Sequence, residues 1–290
     1  MRTVKLVIEY DGTNYHGWQR QANLPTIQKT LEDVLAQINK VPVKVTGASR
    51  TDAGVHAIGQ VAHFKTSLEI GEKSWEKAIN SLLPADIVVR KAEYVPPDFH
   101  ARYSARGKVY RYIILNSHRI SPFIRNYAWH IRHPLDILSM KEASNCLIGT
   151  HDFSSFRASE CNARSPVRTL DRLEIRAIDS SPIFPIFCHE DPAPLRKGDT
   201  SPLHLPSIPM GEGRFSGEDS GSTPILLFLT FEARSFLQHM VRNIVGTLAD
   251  VGLGRLEPSD VRDILDKKDR RYAGPIAPPR GLFLLEIKYP

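Results

Sequence analysis

Residues 3–10 alternate apolar and polar side chains and then meet Asp11-Gly12, which predicts a β-strand closed by a turn. Pro25-Thr26 opens a helix with Thr26 as N-cap, and its apolar stripe is Ile27, Leu31, Val34, Leu35 and Ile38. Residues 41–46 read as a strand, 49–54 as a turn and 55–64 as a second strand. A helix over 74–83 stops at Pro84, and a strand follows over 87–94. The order β-α-β-β-α-β then returns. Residues 108–115, 167–178, 225–233 and 282–289 read as strands. Helices are expected over 136–148, with Asp136 as N-cap and Gly149 past the end, and over 258–266. Ser235-Phe236-Leu237-Gln238 has the form of a capping box opening another helix.

This pattern predicts an α+β fold of two split-βαβ, RRM-like halves. Their sheets would join into one mostly antiparallel sheet with helices packed on it and a cleft between the halves. The boundary falls between an N-terminal half at 1–105 and a C-terminal half at 106–290. Residues 179–223 break the pattern with seven prolines and a Gly/Ser-rich tail, and are expected to form a mobile insertion outside the core.

Composition narrows the setting. No apolar run approaches the ~20 residues of a membrane span, and residues 1–8 lack the apolar core of a signal peptide, so a cytoplasmic protein is expected. Three cysteines form no CxxC pair, and Cys188-His189-Glu190-Asp191 has no second ligand cluster to complete a metal site. The net charge of +6 suits a polyanionic partner, and its distribution is more telling than its size. Between Asp98 and Asp136 there is no acidic residue. That stretch carries Arg102, Arg106, Lys108, Arg111, Arg119, Arg125 and Arg132, interleaved with Tyr103, Tyr110, Tyr112, Tyr127 and Trp129. Such a mixture neutralises phosphates and stacks on unpaired bases, although a solvated strand face has the same composition.

Two segments could carry chemistry. In Arg50-Thr51-Asp52 a carboxylate sits in a turn between strands, with an arginine two positions away to offer it an opposite charge. Such a carboxylate can act as a nucleophile or stabilise a cationic sugar. Taken alone, the segment is read more simply as a turn. In the helix after Ser235, His239, Arg242, Asn243 and Gly246 share one narrow polar face, on which glycine permits close approach by a backbone or ligand.

With these residues in view, Ser49-Arg50-Thr51-Asp52-Ala53-Gly54-Val55-His56-Ala57 closely resembles the catalytic motif of the TruA family of tRNA pseudouridine synthases. Tyr10-Asp11-Gly12-Thr13, Gly17-Trp18-Gln19, Lys108-Val109-Tyr110-Arg111-Tyr112, Gly149-Thr150-His151-Asp152-Phe153, residues 236–246 and Ala277-Pro278-Pro279-Arg280-Gly281-Leu282 are similar to that family too. The resemblance spans nearly the whole chain in order. Pro279, where the family usually has alanine, and the insertion at 179–223 depart from it.

The resemblance implies a pseudouridine synthase-like fold and isomerisation of uridine at positions 38, 39 and 40 of the tRNA anticodon arm, by a homodimer. It implies Asp52 as nucleophile, Arg50 as the residue that displaces the target base, and Arg242 as the partner of Asp52. Tyr110 would lie against the flipped uracil and assist loss of the C5 proton, and Leu282 would pack on the base. Arg111 and His239 are the further expected substrate contacts. Tyr112 points the same way as Tyr110 on a strand, so the two are poorly separated by sequence. Attack at C1′ or on the pyrimidine ring is equally compatible with these residues. Because the isomerisation adds and removes nothing, neither cofactor nor metal is expected. An RNA chaperone with no chemistry is the alternative, and a glycosidase would want a second carboxylate.

Overall fold

The computed structural model describes residues 1–179 and 225–290. The expected insertion, apart from Asp179 at its edge, and the Cys188 run lie outside the described residues. The N-terminal elements are β1 (Arg2–Tyr10), α1 (Ile27–Asn39), β2 (Thr46–Gly47), β3 (His56–Thr66), α2 (Glu72–Asn80) and β4 (Ile87–Val95). After them come β5 (Gly107–Asn116), β6 (Trp129–Ile131), α3 (Ile137–Asn145), β7 (Gly149–Asp152) and β8 (Val167–Asp179). The chain closes with β9 (Ile225–Ala233), α4 (Met240–Gly252), α5 (Asp260–Lys267) and β10 (Leu282–Lys288). This is an α+β fold built on one large sheet.

The sheet runs β4-β1-β3-β10-β5-β9-β8-β7, with β2 beside β3 and β6 beside β5. Its pairings are antiparallel except β10 with β3 and β6 with β5. The β3–β10 pairing joins the N-terminal strands to the C-terminal ones through Phe283 opposite His56 and Leu284 opposite Ala57. Gly59 makes the approach possible, because a Cβ there would lie 2.2 Å from the Leu285 carbonyl oxygen. The rings of His56 and Phe283 stack across the same seam, 4.7 Å apart.

Period-two alternation divides the sheet's apolar residues between two cores. Leu6, Ile8, Phe64, Tyr112, Leu229 and Phe231 face the helices and join Leu31, Leu35, Ile244 and Leu248. Val109, Ile113, Leu115, Phe228 and Phe283 face the other way and are covered by Ile124 and Ala128 from the β5–β6 connection. Helix starts follow their caps where the cap is free to act. Thr26 accepts a hydrogen bond from the Lys29 amide, and Asp136 accepts from Leu138 and Ser139.

Three expectations are corrected. Residues 41–46 form no strand beyond Thr46, because α1 side chains take the backbone groups a ladder would use. Glu32 accepts from the Val45 amide at 3.1 Å and Gln28 donates to the Val45 carbonyl at 2.9 Å. The helix after Ser235 begins at Met240, and its N-cap is His239, so Ser235 and Gln238 form no capping box. Phe236 instead packs edge-on against Tyr110 and Leu237 is buried, which holds this approach out of helical geometry. Helix α2 starts at Glu72, whose carboxylate accepts from the Tyr94 amide. The short strands β6 and β7 carry too few residues to announce a period.

His63 on β3 yields a pH prediction. It is buried, its Nδ1 accepts from the Ala101 amide, and burial together with the charges of His100 and Lys65 lowers its pKa to about 4. The unfolded chain takes up a proton below the ordinary histidine pKa of about 6.5, which native His63 resists. Its contribution should therefore be full above about 6.5 and shrink as pH falls to about 4. In urea unfolding, His63→Asn should lose less stability than wild type across that window; parallel pH profiles would contradict it.

Candidate active site

The turn between β2 and β3 is held from below by a buried polar framework. The fully buried Gln60 amide grips Ser49 like a neighbouring strand: its Nε2 donates to the Ser49 carbonyl at 2.7 Å, and its Oε1 accepts from the Ser49 amide at 3.2 Å. Tyr10 Oη and Thr51 Oγ1 are 2.8 Å apart. From the side, the Trp18 amide donates to the Thr51 carbonyl and the Gly54 amide to the Tyr15 carbonyl. Gly17 has a φ of +84°, and a Cβ on it would lie 2.5 Å from the Thr51 carbonyl oxygen, so the 12–18 segment abuts the loop backbone directly. Gly54, at φ +75°, turns the chain into β3 beneath the Pro279 ring. The departure at Pro279 therefore packs against the loop itself.

On this platform Asp52 extends its carboxylate toward α4. Arg242 Nη1 lies 3.2 Å from Asp52 Oδ2, and His239 Nε2 lies 3.4 Å from the same oxygen. Arg242 is only 11% exposed and Asp52 29%. The guanidinium is fixed at its other edge, where Nε donates to the Ala277 carbonyl at 2.8 Å, while the Ala277 amide donates back to the Arg242 carbonyl. That reciprocal clamp depends on Gly246, because a Cβ there would lie 1.6 Å from the Pro275 carbonyl oxygen. His239 reaches Asp52 from a left-handed N-cap conformation with φ +63°, a backbone state that costs an L-residue about 1–2 kcal/mol.

A second cluster lies beside the first. Tyr110 Oη is 2.8 Å from Ser49 Oγ, and Lys108 Nζ donates to Ser49 Oγ at 3.0 Å and to the Ala48 carbonyl at 2.9 Å. Burial pushes the Tyr110 phenol well above its ordinary range. Burial also brings the Lys108 ammonium down to about 8, with the Arg102 charge acting in the same direction. Leu282, at the start of β10, supplies an apolar wall.

These groups line one cleft of about 1180 Å³, above the ~300–1,000 Å³ usual for small-molecule pockets. Seven lysine and arginine side chains line it, including Lys44, Arg50, Arg102 and Arg234, and Asp52 is the one carboxylate among the described lining residues. The cleft thus suits a large polyanion, and it offers a glycosidase no second carboxylate.

Asp52, Arg242, His239, Tyr110, Leu282 and Arg50 are brought together at this cleft, and Arg111 is not. Strand alternation turns Arg111 to the opposite sheet face, where it sits over Phe228 and donates to Thr230. Arg50 is exposed at the cleft and forms no ion pair with Asp52; Arg242 provides that pairing. Tyr112 is sealed away, its hydroxyl donating to the Pro278 carbonyl, so Tyr110 is the tyrosine of this strand that lines the cleft. The polar face of α4 divides its labour: Asn243 donates to the Phe156 carbonyl and accepts from Arg270. The basic run before Asp136 is likewise split, since Tyr127 bonds to Asp11 beyond the other sheet face. Ser49, Gln60 and Lys108 stood within or just beyond the matching segments but were assigned no role in the site. Lys108 could have been included, because it shares the pleat face of Tyr110 two residues on.

A family model described as tRNA pseudouridine synthase matches residues 6–104 and 143–290. The chain is 44% identical over 289 residues to tRNA pseudouridine synthase A of Thermoanaerobacter pseudethanolicus, with 100% of each chain covered. Proteins of the same name from Acetivibrio thermocellus and Geobacter sulfurreducens are 40% and 38% identical over 289 residues, again with 100% of each chain covered.

The close passage at Gly246 sets a test. Gly246→Ala should destabilise the fold by about 1–3 kcal/mol or more, because Pro275 backbone rather than a flexible side chain must move. Gly107→Ala, whose Cβ would meet nothing nearer than 3.6 Å, serves as the control. Equal denaturation midpoints for the two variants would refute the clamp.

Proposed function

The chain belongs to the tRNA pseudouridine synthase family and converts uridine to pseudouridine in tRNA, and from that premise we propose that Asp52 is its nucleophile, acting in the anticodon stem-loop at positions 38, 39 and 40. The carrying observation is the pairing of Asp52 with Arg242 inside a cleft whose other charged lining is cationic. Pure RNA binding has no need of a carboxylate there, since it repels phosphate.

Pseudouridine formation breaks the C1′–N1 bond, turns the uracil and joins C1′ to C5. The reacting atoms are inaccessible in a stacked stem, so the nucleotide must be extruded into the protein. Arg50, exposed at the cleft, enters the space the base leaves. Leu282 and Tyr110 receive the uracil, and Asp52 meets either C1′ or the pyrimidine ring. Arg242, held by Ala277, aims the carboxylate, and His239 contacts the same oxygen. Tyr110 then assists removal of the proton from C5.

Two further readings accompany this one. The orders β4-β1-β3-β2 and β10-β5-β9-β8 repeat one arrangement, which supports division into two split-βαβ halves meeting near residue 105. We also infer a homodimer, as the family resemblance implies, and a cytoplasmic location. None of the described helices is long and apolar enough to cross a membrane.

The test uses tRNA labelled with tritium at uridine C5. Wild type should release tritium, while Asp52→Asn should release none above background yet still bind tRNA. Arg242→Ala, assayed alongside, should lose roughly 10²-fold in kcat/KM, the scale of removing one partner of a partly buried ion pair. Normal turnover by Asp52→Asn would overturn the proposal.

A further inference from the structure

Resting on Tyr110 as the group that meets C5, a second question is where its proton goes. A neutral phenol is a poor base, and burial disfavours the anion that would be a better one. To accept a proton from carbon it must pass its own onward, and its hydroxyl meets Ser49 Oγ at 2.8 Å. Ser49 in turn meets Lys108 Nζ at 3.0 Å. The amine's other contact is the Ala48 carbonyl, and no carboxylate pairs with it among the described residues. A half-buried lysine without an anionic partner is costly when charged, which makes its neutral form accessible.

We propose that Lys108 is the terminal acceptor of the uridine C5 proton, reached through Tyr110 and Ser49. Tyr110 Oη takes the proton from C5 as its own passes to Ser49 Oγ, and the Ser49 proton passes to the neutral Lys108 amine. The C5–H bond breaks and its electron pair forms the C5=C6 bond. The former N1=C6 pair moves onto N1, which takes a proton from water. The Lys108 ammonium returns its proton to the hydroxide so formed, and the isomerisation is neutral overall. In the ammonium form Nζ donates to Ser49 Oγ; with the amine neutral that bond reverses, Nζ accepting from Ser49 while one of its hydrogens still reaches the Ala48 carbonyl. The step is common to attack at C1′ and attack on the ring.

Arg102, on the segment before β5, is the charge that acts on Lys108. His100 on the same segment, Arg50 and Asp52 on the loop, and Arg234 after β9 line the same cleft. Burial is the larger cause favouring the neutral amine, and the Arg102 charge acts in the same direction, bringing the ammonium to about 8.

Single-turnover pseudouridine formation should therefore rise with pH to a plateau, with a midpoint near 8. Lys108→Met and Lys108→Arg should both slow by roughly 10²-fold and lose that midpoint, because arginine keeps the charge but accepts no proton. In both, the isotope effect from deuterium at C5 should grow as proton removal becomes limiting. Full activity in Lys108→Arg would reduce Lys108 to a charge, and weaker tRNA binding at unchanged kcat in Lys108→Met would make it a phosphate contact; either overturns the relay. If Lys108→Met fails to fold, Ser49→Ala interrupts the same path with the lysine in place and should show the same slowing and isotope effect. Tyr110→Phe separates the two readings: normal C5 tritium release in it removes Tyr110 itself, whereas a loss there with unaltered Lys108 variants removes only the relay.

Discussion

Everything at this site depends on one parallel strand pairing. Phe283 beside His56 and Leu284 beside Ala57 bring β10 against β3, and with β10 comes β5 carrying Lys108 and Tyr110. Asp52 precedes β3 by four residues, so the seam fixes the distance between the loop and the groups it works with. Two register pairs are a short joint. Close contact at Gly59 and the stacked rings of His56 and Phe283 stiffen it, and the Arg242–Asp52 pair bridges the same divide from α4.

The chemistry follows from how rigidly each partner is held. A carboxylate on a free loop would sample many positions, and reaction needs one. Gln60 and Gly17 hold the loop through its backbone and Tyr10 holds it through the Thr51 hydroxyl, leaving the Asp52 side chain to be aimed by Arg242 and His239. Arg242 is in turn set by Ala277, and that contact exists because Gly246 admits Pro275. Gly17, Gly59 and Gly246 thus act at a distance from the reacting atoms by allowing backbones to touch. The same economy appears beside Tyr110, where Ser49 serves both the loop and the hydrogen-bonded line to Lys108.

Much of this was legible in the chain. The Thr26 and Asp136 caps, the long strands and the Asp52 turn follow from local pattern, because local groups decide them. Gly246 was expected to admit either a backbone or a ligand, and the Pro275 backbone is what it admits. Residues 41–46 misled because α1 side chains outcompete a ladder, a contact no local window contains. Ser235 misled because Phe236 finds Tyr110. Arg111 is a different failure: it was included as a substrate contact, although alternation from Tyr110 already assigns it to the other face. Gln60 and Ser49 matter through contacts eleven residues apart or more, which only the folded sheet supplies.

The most direct measurement is the structure of the Asp52→Asn protein bound to an unmodified tRNA anticodon arm. The account predicts one uridine extruded into the cleft, its reacting carbon within about 3.5 Å of the residue 52 side chain, its C5 toward Tyr110, and Arg242 still bonded to Ala277. A bound arm whose uridines all remain stacked, or an extruded uridine lodged away from residue 52, would contradict it.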